Sequence, residues 1–87
     1  PPAGAPPTAH IVNVTMKHQN GHELVFKMKL TTKIGKAMDG FSARMQREVK
    51  TMRFLFDGER INPNSTLHDL DVDDDCQVEV FEEQIGG

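Results

Sequence analysis

The chain closes on Phe81-Glu82-Glu83-Gln84-Ile85-Gly86-Gly87, and no folded element needs two glycines there. A carboxylate that must be activated, drawn through a narrow enzyme channel and handed to a nucleophile gains from neighbours without a Cβ, because backbone can then approach the reacting group closely. Gly86 and Gly87 are therefore candidate reacting residues, with the polar or small residues before them giving reach. The plainer alternative is a frayed end or a cloning remnant. No other residue set competes for chemistry. His18 and His22 flank Asn20-Gly21 without the Cys or carboxylate partners of a metal cluster. His68 and Cys76 stand in no Ser/His/Asp or Cys/His arrangement, and no Gly-rich phosphate loop is present. The sequence thus predicts no metal, no cofactor and no catalytic residue.

Eighty-seven residues form one domain with a modest core, since a chain of this size buries only about 60% of its unfolded surface. A deep substrate cavity is not expected. No apolar run approaches the ~20 residues of a membrane span, and the Pro/Ala/Gly start carries no basic or apolar region of a secretory signal. The lone Cys76 suits a reducing cytosol or nucleus. The net charge of −3 hides a division along the chain. Residues 1–53 carry nine Lys and Arg against Glu23, Asp39 and Glu48, a net of +6. In residues 54–87 Arg60 stands alone against ten acids, a net of −9. Neither half has a dense basic run with interleaved aromatics, which argues against direct nucleic-acid binding and for protein partners.

Several elements must position that end. Residues 1–9 read as a flexible tail. Residues 10–17 and 23–30 alternate apolar with polar, as two strands do, around Asn20-Gly21, where a two-residue turn requires both positions to accept positive φ. Thr32 is placed to cap a helix whose apolar residues Ile34, Met38, Phe41 and Met45 share one face. Gly35 and Gly40 inside it cost about 1 kcal/mol each relative to Ala, which loosens this helix. Two short strands then flank a turn at Asp57-Gly58-Glu59, Thr66 and Asp69 have capping-box spacing, and residues 76–81 alternate again as a last strand. A hairpin, a crossing helix and later strands make an α+β two-layer domain. That order and size describe a β-grasp with one helix packed on a mixed sheet, over residues 10–82, with residues 83–87 as a C-terminal tail.

In β-grasp proteins a diglycine end serves two chemistries: a carboxylate adenylated, passed as a thioester and joined to lysine, or a thiocarboxylate sulfur donor. The stretches Glu23 to Thr32, Met52 to Ile61 (containing "RFLFDGERI") and Val78 to Gly87 resemble the small ubiquitin-like modifier family, SUMO, in its mature form. The resemblance runs from about residue 10 to the end, and it favours the first chemistry. It implies a conjugated modifier, itself no enzyme, found as a monomer in nucleus and cytoplasm. The implied partners are SUMO activating and conjugating enzymes, ligases, proteases, proteins with SUMO-interacting motifs and substrate lysines. A SUMO-like binding domain that is never conjugated is the alternative.

The resemblance also implies sites. Glu83, Gln84 and Ile85 would be read by the tail enzymes, and Glu83 stands where ubiquitin has an arginine, a charge difference able to reject the wrong activating enzyme. A groove for a partner strand would be lined by Leu24, Val25, Phe26, Met28, Ala37 and Phe41, with Lys27, Lys29, Lys36 and Arg44 as its basic rim. On alternation alone Leu24, Phe26 and Met28 read as core and the lysines as an edge guard. Asp57, Gly58, Asp71, Asp73, Asp74 and Asp75 resemble the acidic surface offered to the conjugating enzyme; a solvated loop is the other reading.

None of the six lysines, Lys17, Lys27, Lys29, Lys33, Lys36 and Lys50, has an acid two residues later, the spacing on which SUMO chains often grow. This segment is therefore expected to be a poor acceptor for consensus-directed chains. Mass spectrometry that mapped efficient chain growth to one of these six would overturn that expectation.

Overall fold

The computed structural model describes residues 10–72 and 74–83. Strand β1 (Ile11–His18) and strand β2 (Glu23–Lys29) form a hairpin, helix α1 (Gly35–Met45) crosses, and a 3-10 turn at Val49–Thr51 leads into β3 (Met52–Phe56). Strands β4 (Glu59–Arg60) and β5 (Asp75–Glu82) complete a five-stranded sheet among the described residues, in the order β2-β1-β5-β3-β4. β1 and β5 run parallel at its centre, and the other pairs are antiparallel. This is the expected β-grasp.

Alternation sorts the side chains. Val12, Val14 and Met16 of β1 and Cys76, Val78 and Val80 of β5 turn to the helix and are buried with Ile34, Ala37, Met38 and Phe41. Phe41 is 0% exposed, its ring 6.2 Å from Phe54 edge-on and 6.3 Å from the stacked His18. The helical spacing of apolar residues in the sequence is thus the core face of α1.

Three local expectations change. The first hairpin does not close with two residues in the left-handed region; only Gly21 takes positive φ, at 100°, while Asn20 does not. His18 donates to the His22 carbonyl at 2.7 Å and Gly21 to that of His18 at 2.9 Å, so the loop is Gln19-Asn20-Gly21. The Asn20 side chain favours this form by accepting from the His22 N–H at 2.9 Å. The two-residue turn occurs at Asp57-Gly58 instead, with φ of 53° and 81°.

Thr32 does not cap α1. The N-cap is Ile34, without a side-chain bond. The donors that a cap would satisfy reach across the fold: Ile34 N–H meets the Ser65 carbonyl at 2.8 Å and Gly35 N–H that of Pro63 at 3.0 Å. By contrast, the Thr66 and Asp69 capping box forms as expected, each backbone N–H donating to the other's side chain at 3.0 Å. The Thr66 N–H, and after it the hydroxyl, hold the Asp69 carboxyl below the usual carboxylate range.

The helix glycines are contact points, not loose joints. A Cβ on Gly35 would stand 2.8 Å from the Pro63 carbonyl oxygen, and one on Gly40 3.0 Å from the Phe26 ring. Gly35→Ala is expected to destabilise the fold by about 1–3 kcal/mol in urea unfolding, despite alanine's better helix propensity, because rigid backbone must move. A variant as stable as the parent would show that the Pro63 loop yields without cost.

Candidate functional site

β2 is an edge strand, and its free side faces α1 across a hollow of about 480 Å³. Phe26, Met28 and Ala37 line it with Lys27, Lys29 and Lys36, and Ile11 and Thr32 complete the wall. The hydrogen-bonded pairs His18/His22 and His10/Leu30 fix the ladder's phase. Alternate residues from these, Val25, Lys27 and Lys29, direct their N–H and C=O away from β1 toward the open edge. An extended peptide can therefore add to this edge as another strand. Its side chains would enter an apolar hollow between lysines that remain exposed.

The structure brings together six of the ten residues expected at the groove and its rim. Phe41 belongs to the core, as does most of Leu24, which is half-buried against it. Val25, 57% exposed, pairs with Thr15 on the face away from the helix, because side chains alternate along β2. Arg44, in the last turn of α1, does not line the hollow. Ile11 and Thr32, read in the sequence as a strand residue and a helix cap, were not expected at the groove. Ile11 lies opposite Lys29, a pairing that the three-residue hairpin loop sets and a two-residue loop would have shifted by one.

At the opposite edge of the sheet, the Asp57-Gly58 turn sits toward the start of β5, where Asp75 accepts from the Asn13 side chain at 3.4 Å. Asp74 pairs with His10 at 2.9 Å. Burial, and secondarily the Asp57 charge, push the Cys76 thiol up to about 11, which disfavours its thiolate form. Asp71 occupies its own turn, at φ 59°, with its N–H bonded to the His68 carbonyl. Asp73 lies outside the described residues.

Among the tail residues, Gln84, Ile85, Gly86 and Gly87 lie outside the described residues. Glu82 and Glu83 are not free charges. Glu82 accepts from His18 Nε2 at 2.8 Å and from Arg47. Glu83 takes both arms of the Arg60 guanidinium, at 2.7 and 3.1 Å, and donates its N–H to the Thr51 carbonyl at 2.8 Å. Among the described residues no His/Cys/Asp/Glu group could hold a metal ion, and no helix is long and apolar enough to cross a membrane.

A family model described as "Ubiquitin-2 like Rad60 SUMO-like" matches residues 12–81. The chain belongs to this SUMO-like family. It is 43% identical over 82 residues to the ubiquitin-like protein pmt3/smt3 of Schizosaccharomyces pombe, covering 94% of this chain and 69% of that one. It is 35% identical over 85 residues to the small ubiquitin-related modifier of Caenorhabditis elegans, covering 98% and 93%. Among solved structures it is similar to the Caldiarchaeum subterraneum ubiquitin, with a TM-score of 0.77 over 88% of this chain and 99% of that one; at 18% identity this shows the fold alone. By name, these relatives are a ubiquitin-like protein and a small ubiquitin-related modifier.

Proposed function

We propose that this SUMO-like chain is a conjugated protein modifier: a substrate of enzymes that performs no catalysis of its own. The observation that carries the reading is its similarity, over nearly its whole length, to a small ubiquitin-related modifier. In this reading the Gly87 carboxylate attacks the α-phosphate of ATP, releasing pyrophosphate. An enzyme thiolate then displaces AMP to form a thioester, and a substrate lysine amine displaces the thiol to form an isopeptide bond. Gly86, Ile85 and Gln84 are the threaded segment, and Glu83 precedes it. Its partners are the SUMO activating and conjugating enzymes, the ligases and proteases of the pathway, and substrate lysines in nucleus and cytoplasm. Asp57, Gly58, Asp74 and Asp75, with Asp71 and Asp73 nearby in sequence, are the surface offered to the conjugating enzyme's basic face.

The attached modifier is read at the β2 groove. A motif rich in Val and Ile pairs with the open edge beside Lys27 and fills the hollow over Phe26 and Met28, and acidic or phosphorylated flanks meet Lys27, Lys29 and Lys36. The closed fold supports this role: β2 supplies an edge that no other described strand pairs and apolar area beside it, which are what strand addition uses.

Incubation with ATP, magnesium and the SUMO activating and conjugating enzymes is expected to give a thiol-sensitive adduct on non-reducing gels, and a chain lacking Gly86 and Gly87 none. No adduct from the intact chain would sink conjugation and favour the binding-domain alternative. In a separate titration, Phe26→Ala with Lys27→Glu is expected to weaken binding of a Val/Ile-rich acidic peptide by about tenfold or more. Unchanged affinity would move the reader site elsewhere.

A further inference from the structure

Glu82 ends β5 and Glu83 is the residue that follows it. Each is held by a cation from a different part of the fold. Arg47 reaches Glu82 because α1 closes in a Schellman turn: Gln46 takes φ 57°, its N–H bonds the Ala43 carbonyl, and the Arg47 N–H bonds that of Ser42 at 3.0 Å. His18 adds to this grip. Its Nδ1 accepts from the Asn20 N–H at 3.1 Å, which leaves the ring proton on Nε2, where it is donated to Glu82. The Gln19 side-chain oxygen takes the Glu82 N–H at 2.9 Å. Arg60, from β4, makes a fork on Glu83, whose carboxylate in turn raises the guanidinium's proton affinity.

We propose that Arg47 and Arg60 are positioning residues for the carboxyl terminus, gripping Glu82 and Glu83 in cis so that the chain leaves the sheet in a set direction before any enzyme arrives. The proposal rests on the modifier reading above and deepens it. Four residues follow Glu83 and span at most about 14 Å, so a tilt of about 20° at their base moves the end by about 5 Å. Reactions of this kind tolerate far less misplacement. An ungripped end would spend part of its time aimed wrongly, and the apparent affinity falls by the fraction correctly aimed. The Glu83 charge is also answered within the molecule. An enzyme reading position 83 meets a carboxylate already paired with Arg60, and an arginine placed there would face Arg60 before it faced any enzyme.

Charge exchange separates cis positioning from direct recognition. Arg60→Glu and Glu83→Arg are each expected to raise KM in thioester formation with the SUMO activating enzyme by about threefold, the scale of an exposed pair, with kcat changed less than about twofold. Arg60→Lys should keep part of the effect, and the exchanged double variant should recover most of the parent KM. In the free protein, the Glu83 amide should exchange about threefold faster in the single variants and return in the double one. Single variants that change neither KM nor exchange would overturn the proposal. So would a double variant that restores amide protection and leaves KM high, since the enzyme would then be reading these residues itself. If the parent forms no thioester, the modifier reading fails, and the exchange arm still decides whether the grip exists.

Discussion

The parallel pairing of β1 with β5 is the constraint on which the rest depends. No tight turn can join two parallel neighbours, so everything between them must travel around the sheet. The register Val14 to Cys76, Met16 to Val78 and His18 to Val80 aligns two rows of buried side chains into one apolar surface. Helix α1 packs on that surface, and the strands left over, β2 and β4, become the edges. The open groove and the exit of the carboxyl terminus beside β3 are both results of putting the first and last strands at the centre.

The charge division of the sequence acquires a shape here. The basic first part of the chain folds into β1, β2 and α1, and its lysines rim the groove. The acidic second part supplies the Asp57 turn at the far edge of the sheet and the start of the central strand β5. One small core thus carries a basic rim on β2 and α1 and a separate group of acids at the Asp57 turn and the start of β5.

What could be read in advance were the patterns set by near neighbours. Strand alternation in β1, β2 and β5, the helical spacing of Ile34, Met38 and Phe41, and the Thr66 and Asp69 box all depend on residues a few positions apart. What could not be read were distances across the fold. Thr32 looked like a cap because the carbonyls of Pro63 and Ser65, some thirty residues on, were invisible as the partners of the helix's first donors. Gly35 and Gly40 looked like weaknesses because Pro63 and Phe26 were not yet beside them. In the groove, the resemblance named the lining residues of β2 where alternation alone read them as core, while helical spacing already set Phe41 on the core face, and one residue in the hairpin loop decided that Ile11 stands opposite Lys29. The pairing of Glu83 with Arg60 had no local signature at all.

The central pair also has a mechanical meaning. A load applied between the beginning of β1 and the end of β5 pulls two parallel neighbours in opposite directions. Their bonds then lie across the load and must yield together, in shear, whereas an antiparallel hairpin such as β1 with β2 can be unzipped one pair at a time. A chain tethered by its last residue and dragged by its first therefore presents its strongest axis to the pull.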